Sequence, residues 1–86
     1  MIRIAIVDDE KVIREQIMKL IEKKQIDCVV DTHSSGEEVL ENGRCYDIAF
    51  LDIQMCGMNG IDTARALRQK SEDMVLIFIT GVKEYV

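Results

Sequence analysis

Four short strand-like runs, at residues 3–7, 27–32, 47–51 and 74–80, are separated by stretches just long enough for one helix each. This alternation constrains the fold more than any other feature. Parallel strands need a crossover of about a dozen residues or more, and an amphipathic helix is the usual one. Arg3 to Val7 reads as a buried strand. Residues 10–24 place Ile13, Ile17, Leu20 and Ile21 at helical spacing among charges, which predicts an amphipathic helix with those four inward. Residues 27–32, with Cys28, Val29 and Val30, form the second strand. Ser35-Gly36-Glu37-Glu38 fits a capping box that opens a short helix ending near Asn42-Gly43. The third strand, 47–51, runs into Asp52, and a glycine-containing loop then leads to a helix near 60–70 with Ile61, Ala64 and Leu67 inward. Met74 to Thr80 is the most apolar strand, of a kind suited to a parallel sheet covered on both faces, and another helix begins near Lys83. The order βαβαβαβ is that of an α/β fold.

The length of 86 residues allows one domain, and 48% apolar residues argue for a folded globule. A formal charge of −5 disfavours nucleic-acid binding and suits a cation site. Cys28, Cys45 and Cys56 form no CxxC pair, which points to a reducing compartment rather than a disulfide framework. The N-terminal apolar run is too short for a signal peptide, and no stretch approaches the ~20 apolar residues of a membrane helix. A soluble, cytoplasmic chain without membrane contact is expected.

The polar residues that most need explaining fall at strand ends: Asp8 and Asp9 after the first strand, Asp52 after the third, Thr80 closing the fourth. Ligands of open parallel sheets bind beyond the carboxyl ends of strands, where strand order reverses. With strand two outside strand one, that reversal brings three carboxylates together. Their mutual repulsion favours a hard divalent cation such as Mg²⁺. A carboxylate can also serve as the nucleophile in phosphoryl transfer, with a hydroxyl at Thr80 donating to a phosphoryl oxygen. Singly, each residue has a plainer explanation: Asp8 or Asp9 as a helix cap, Asp52 in a solvated loop, Thr80 as an ordinary strand end. Their coincidence at successive strand ends favours a site.

Ile6-Val7-Asp8-Asp9-Glu10, Ala49 to Met55, Gly57-Met58-Asn59-Gly60 and Ile79-Thr80-Gly81 resemble the receiver domain of bacterial response regulators, in order and spacing along the whole chain. The resemblance implies a flavodoxin-like (CheY-like) doubly wound parallel sheet, with family strand order 2-1-3-4-5. It implies Asp52 as phosphoacceptor and Thr80 as switch hydroxyl. Asp8, Asp9 and Asp52, with the backbone carbonyl of Gln54, become the ligands of Mg²⁺ or another divalent such as Mn²⁺. A sensor histidine kinase is the implied donor. Leu51 to Met55 and Thr80 to Val86 are similar to regulators with a LytTR-type DNA-binding output, which lies outside this chain.

Two departures stand out. Cys56 occupies the position where the family usually carries proline, which loosens the loop; an inert thiol is the expectation there. The chain also stops at Val86, before the family's fifth strand, its lysine and its last helix, so residues 1–86 read as the N-terminal portion of a receiver, with strand order 2-1-3-4. Impaired phosphorylation and a homodimer or strand-exchanged assembly through the fourth strand's edge are the corresponding expectations. His33 is expected at the surface without a partner, Met55 and Met58 as packing, and Glu10 at a helix start. A metal-dependent phosphohydrolase is the alternative, weakened because Gln54 stands where a second, proton-transferring Asp is needed. A dinucleotide-binding domain ranks last, since Asp8-Asp9-Glu10 replaces the glycine-rich turn.

Overall fold

The computed structural model describes residues 1–55 and 57–79. Its elements are β1 (Ile2–Val7), α1 (Lys11–Lys23), β2 (Cys28–His33), α2 (Gly36–Glu41), β3 (Ile48–Asp52), α3 (Gly60–Lys70) and β4 (Val75–Ile79). The four strands form one parallel sheet in the order β2-β1-β3-β4, the predicted arrangement. Val7 stands opposite Leu51 in the register, so β1 and β3 end side by side and the chain leaves both next to each other.

Alternation along the strands builds two apolar layers. Ala5, Val7, Ala49 and Leu51 point to one face and are sealed by Val39 of α2, Ala64 and Leu67 of α3, and Tyr46 and Met74. Ile4 and Ile6 point to the other face, against Ile21 with Ile17 and Met18 of α1. The second layer is smaller, and β4 leaves Val75, Ile77 and Phe78 exposed. Among the described residues β4 is thus an edge strand with partial cover, as the edge expectation has it, and not a strand covered on both faces.

Two helices differ in detail from their predicted stripes. Leu20 of α1 is 59% exposed, bordering an open apolar hollow shared with Ile26, Phe50 and Ile77. Ile61 of α3 is 45% exposed, and the buried face of that helix is Gly60, Thr63, Ala64 and Leu67. Thr63 can be buried because its hydroxyl donates to the Asn59 carbonyl at 2.9 Å. The capping box is present but shifted. Ser35 Oγ accepts from Glu38 N at 3.1 Å, while the Glu38 carboxylate takes the Ser34 hydroxyl at 2.6 Å instead of the Ser35 amide. Lys83 to Val86, with the helix expected there, lie outside the described residues. No helix among the described residues is long and apolar enough to cross a membrane.

Candidate functional site

β1 and β3 deliver Asp8 and Asp52 to adjacent positions at the carboxyl edge of the sheet. Strand order reverses between them, because β2 lies outside β1. Asp8 and Asp52 are buried and Asp9 is exposed, and one oxygen from each lies within 4.8 Å of the others. Three carboxylate oxygens this close could serve one cation as ligands. The donor set is all oxygen and formally trianionic, which fits a hard divalent ion and not a soft one.

The same local device aims the two buried carboxylates. Asp8 Oδ1 accepts from the amide of Glu10 at 2.8 Å, and Asp52 Oδ1 accepts from the amide of Gln54 at 3.3 Å. Each is an aspartate bonded to the backbone two residues on, a turn that fixes side-chain direction. Asp8 thus also meets part of the helix-start role considered for it from sequence, since the N-cap of α1 is Glu10, whose side chain makes no cap bond. Arg14, not singled out from the sequence, reaches back from α1 to donate to the Asp8 carbonyl at 2.6 Å. On the other side the Asp8 amide donates to the His33 carbonyl at 3.1 Å, extending the parallel pairing of β1 with β2.

The loop after Asp52 is closed by Gly60, whose amide donates to the Ile53 carbonyl at 3.0 Å. A Cβ on Gly60 would overlap the Asp52 carbonyl, so only glycine lets the start of α3 press against this strand end. Asn59 caps α3 by accepting from the Asp62 amide at 2.8 Å. Gln54 is exposed at the mouth of the site, beside Asp9 and Met55. Met55 also packs against the larger core, as expected for it. Thr80 and Cys56 lie outside the described residues.

A second polar cluster was not legible from sequence. His33 is not a lone surface residue. Its Nε2 lies 3.3 Å from Tyr46 Oη and 3.1 Å from Asn42 Nδ2, and its Nδ1 lies 3.6 Å from a Glu38 oxygen. Tyr46 Oη donates to Asp31 Oδ2 at 2.7 Å, and Arg44 reaches the same oxygen at 3.0 Å. The Tyr46 hydroxyl, then Arg44, hold the Asp31 carboxyl below its ordinary value, against the opposing effect of burial. Burial, with the neighbouring Asp31 carboxylate, pushes the Tyr46 phenol up. Bonds from Ser34 lower Glu38. These partners are 5 to 15 residues apart, brought together only when α2 folds over β2.

Residues 4–86 match the response regulator receiver domain family. The chain belongs to that family. A receiver is a phosphoacceptor module of two-component signalling rather than a catalytic enzyme. The chain is 33% identical over 88 residues to the sensory transduction protein LytT of Oceanobacillus iheyensis, an alignment spanning 98% of this chain and 36% of that protein. A response regulatory protein of Yersinia pestis is 36% identical, over 99% of this chain and again 36% of that protein's length. The receiver thus spans about a third of the curated relatives it matches, and the LytT likeness agrees with the loop wording noted above. Among solved structures, the response regulator TrrA of Thermotoga maritima in complex with Mg²⁺ and BeF superposes with a TM-score of 0.84 at 36% identity, covering 99% of this chain and 74% of that one. TrrA in complex with the histidine kinase ThkA gives 0.82 at the same identity, covering 99% and 73%.

Proposed function

We propose that residues 1–86 are the N-terminal portion of a receiver in which Asp52 accepts a phosphoryl group from the phosphohistidine of a sensor histidine kinase. One Asp52 oxygen forms the new bond to phosphorus as the donor's phosphorus–nitrogen bond breaks, its electron pair returning to the imidazole. The observation that carries this reading is the meeting of three carboxylates within 4.8 Å at the ends of neighbouring parallel strands. TrrA, a relative of this chain, has been seen both with Mg²⁺ and BeF and with a histidine kinase.

Asp8, Asp9 and Asp52, with the Gln54 carbonyl, would hold Mg²⁺ or Mn²⁺. Such an ion supplies positive charge that offsets the repulsion between an incoming phosphoryl group and the carboxylates. The chain's own contribution is orientation. The Glu10 and Gln54 amides direct Asp8 and Asp52, Arg14 steadies the turn at Asp8, and Gly60 keeps the strand end open to close packing. Thr80 is assigned the switch hydroxyl from its motif.

The same reading places the chain in the cytoplasm, with DNA reached only through an output domain of LytTR type elsewhere in the protein. Self-association through the apolar β4 edge belongs to it too, and sedimentation of the 86-residue chain would register a dimer. Incubation with acetyl phosphate and Mg²⁺ followed by intact-mass measurement tests the central assignment. Wild type should gain one phosphoryl group and Asp52→Asn none. Equal labelling of the variant would remove Asp52 from the role.

A further inference from the structure

The chain contains no proline, so no residue of the loop between β3 and α3 has its φ fixed by a ring. Hydrogen bonds must hold that loop in register with the strand end. Among the described residues, local bonds include the Gln54 amide to Asp52, the Gly60 amide to the Ile53 carbonyl, and the Asn59 cap of α3. A further one comes from another part of the chain. Glu37, in the first turn of α2, accepts from the Met58 amide through Oε2 at 3.2 Å, across 21 residues. The backbone is shaped for this contact. Gly57 sits at φ +80°, and a Cβ there would lie 3.0 Å from the same Glu37 oxygen. The α2 base is itself fixed against α3, because Gly36 packs on the buried Thr63 with no room for a side chain.

We propose that Glu37 is a positioning residue for the metal site, latching the β3–α3 loop to α2 so that Gln54, whose amide bonds Asp52, keeps its place beside Asp9. The carboxylate touches neither reacting atom and acts only through the Met58 amide. This rests on the metal reading above. Glu37 is exposed, so its contribution is that of one solvent-accessible hydrogen bond to a charged acceptor, enough for a few-fold change in affinity and not for loss of the fold.

Hydrogen exchange at the Met58 amide in metal-free protein, and Mn²⁺ affinity from the paramagnetic resonance of free Mn²⁺, together test it. Glu37→Ala should speed Met58 exchange and raise the Mn²⁺ dissociation constant about two- to fivefold. Glu37→Gln, whose carboxamide oxygen still accepts, should stay near wild type in both. Glu37→Asp keeps the charge and the helix-start preference but loses reach, so it should resemble Glu37→Ala; it also tests the latch should the alanine variant fold poorly. Equal weakening by Gln and Ala would mean that charge, not the bond, is at work, and would overturn the latch. Wild-type Mn²⁺ affinity in Glu37→Ala, alongside a weakened Asp8→Asn, overturns the proposal about Glu37 alone. Unchanged affinity in Asp8→Asn overturns the metal reading itself, and the latch function with it.

Discussion

The two faces of the sheet are finished differently. On the α2/α3 face, Ala5, Val7, Ala49 and Leu51 are wholly buried beneath Val39 and Leu67. On the α1 face, cover reaches Ile4 and Ile6 and then thins, leaving Leu20, Ile26, Val75 and Ile77 each at least 40% exposed. The first face is a packed interior over β1 and β3 and opens only at its two margins, where Val29 and Phe78 are exposed. The other is an interior at its centre and a surface at its β4 margin. Side chains of identical chemistry therefore carry different energetic weight according to the face they occupy, which a count of apolar residues would not show.

Truncating one leucine on each face tests that contrast most strongly. Leu67→Ala should lower unfolding free energy by about 2–5 kcal/mol, the range for a fully buried leucine that leaves a cavity. Leu20→Ala, read by the same denaturant titration, should change stability by no more than about 0.5 kcal/mol. Comparable losses at the two positions would mean that the α1 face is as tightly sealed as the other.

The polar rim of the closed face gives two finer tests. Tyr46→Phe removes the hydroxyl that bonds Asp31 and should cost about 1 kcal/mol at neutral pH. The pH dependence follows from the direction of the Asp31 shift. Its folded value lies below its ordinary 3.8, so its contribution is present above that pH and is lost as pH falls through the lower folded value. Tyr46→Phe should flatten this acid arm of the stability profile, because the phenol is the largest cause of the shift. An acid arm unchanged in the variant would assign the effect to Arg44 instead.

The same contrast explains what could be read from sequence. Element bounds were legible because period-two and helical spacings are local, strand order followed from the family resemblance, and Asp8, Asp9 and Asp52 were legible because each directly follows a strand. Most departures are cases where the decisive neighbour belongs to another element of the fold. Leu20 and Ile61 sit on correctly identified apolar stripes, but whether a stripe is covered depends on how far the sheet extends beneath it. His33 looked solitary because Glu38, Asn42 and Tyr46 reach it only after α2 has folded over β2. The bonds from Arg14 to the Asp8 carbonyl and from Glu37 to the Met58 amide leave no mark in composition or periodicity, since each depends on backbone geometry at the far partner.

The close seat of Gly60 on the Asp52 carbonyl makes α3 a lever with its fulcrum at the strand end. The helix runs from Gly60 to Lys70, and 11 residues at a rise of about 1.5 Å each give an arm of about 16 Å. A tilt of about 5° at the fulcrum carries the far end, at Lys70, by about 1.4 Å over that length. Lys70 donates to the Leu40 carbonyl at 3.1 Å, at the end of α2. A displacement of that size strains the bond unless α2 or the lysine's own flexible stem follows. The helix thus links the strand end at Asp52 to the far end of α2, about 16 Å away along its axis.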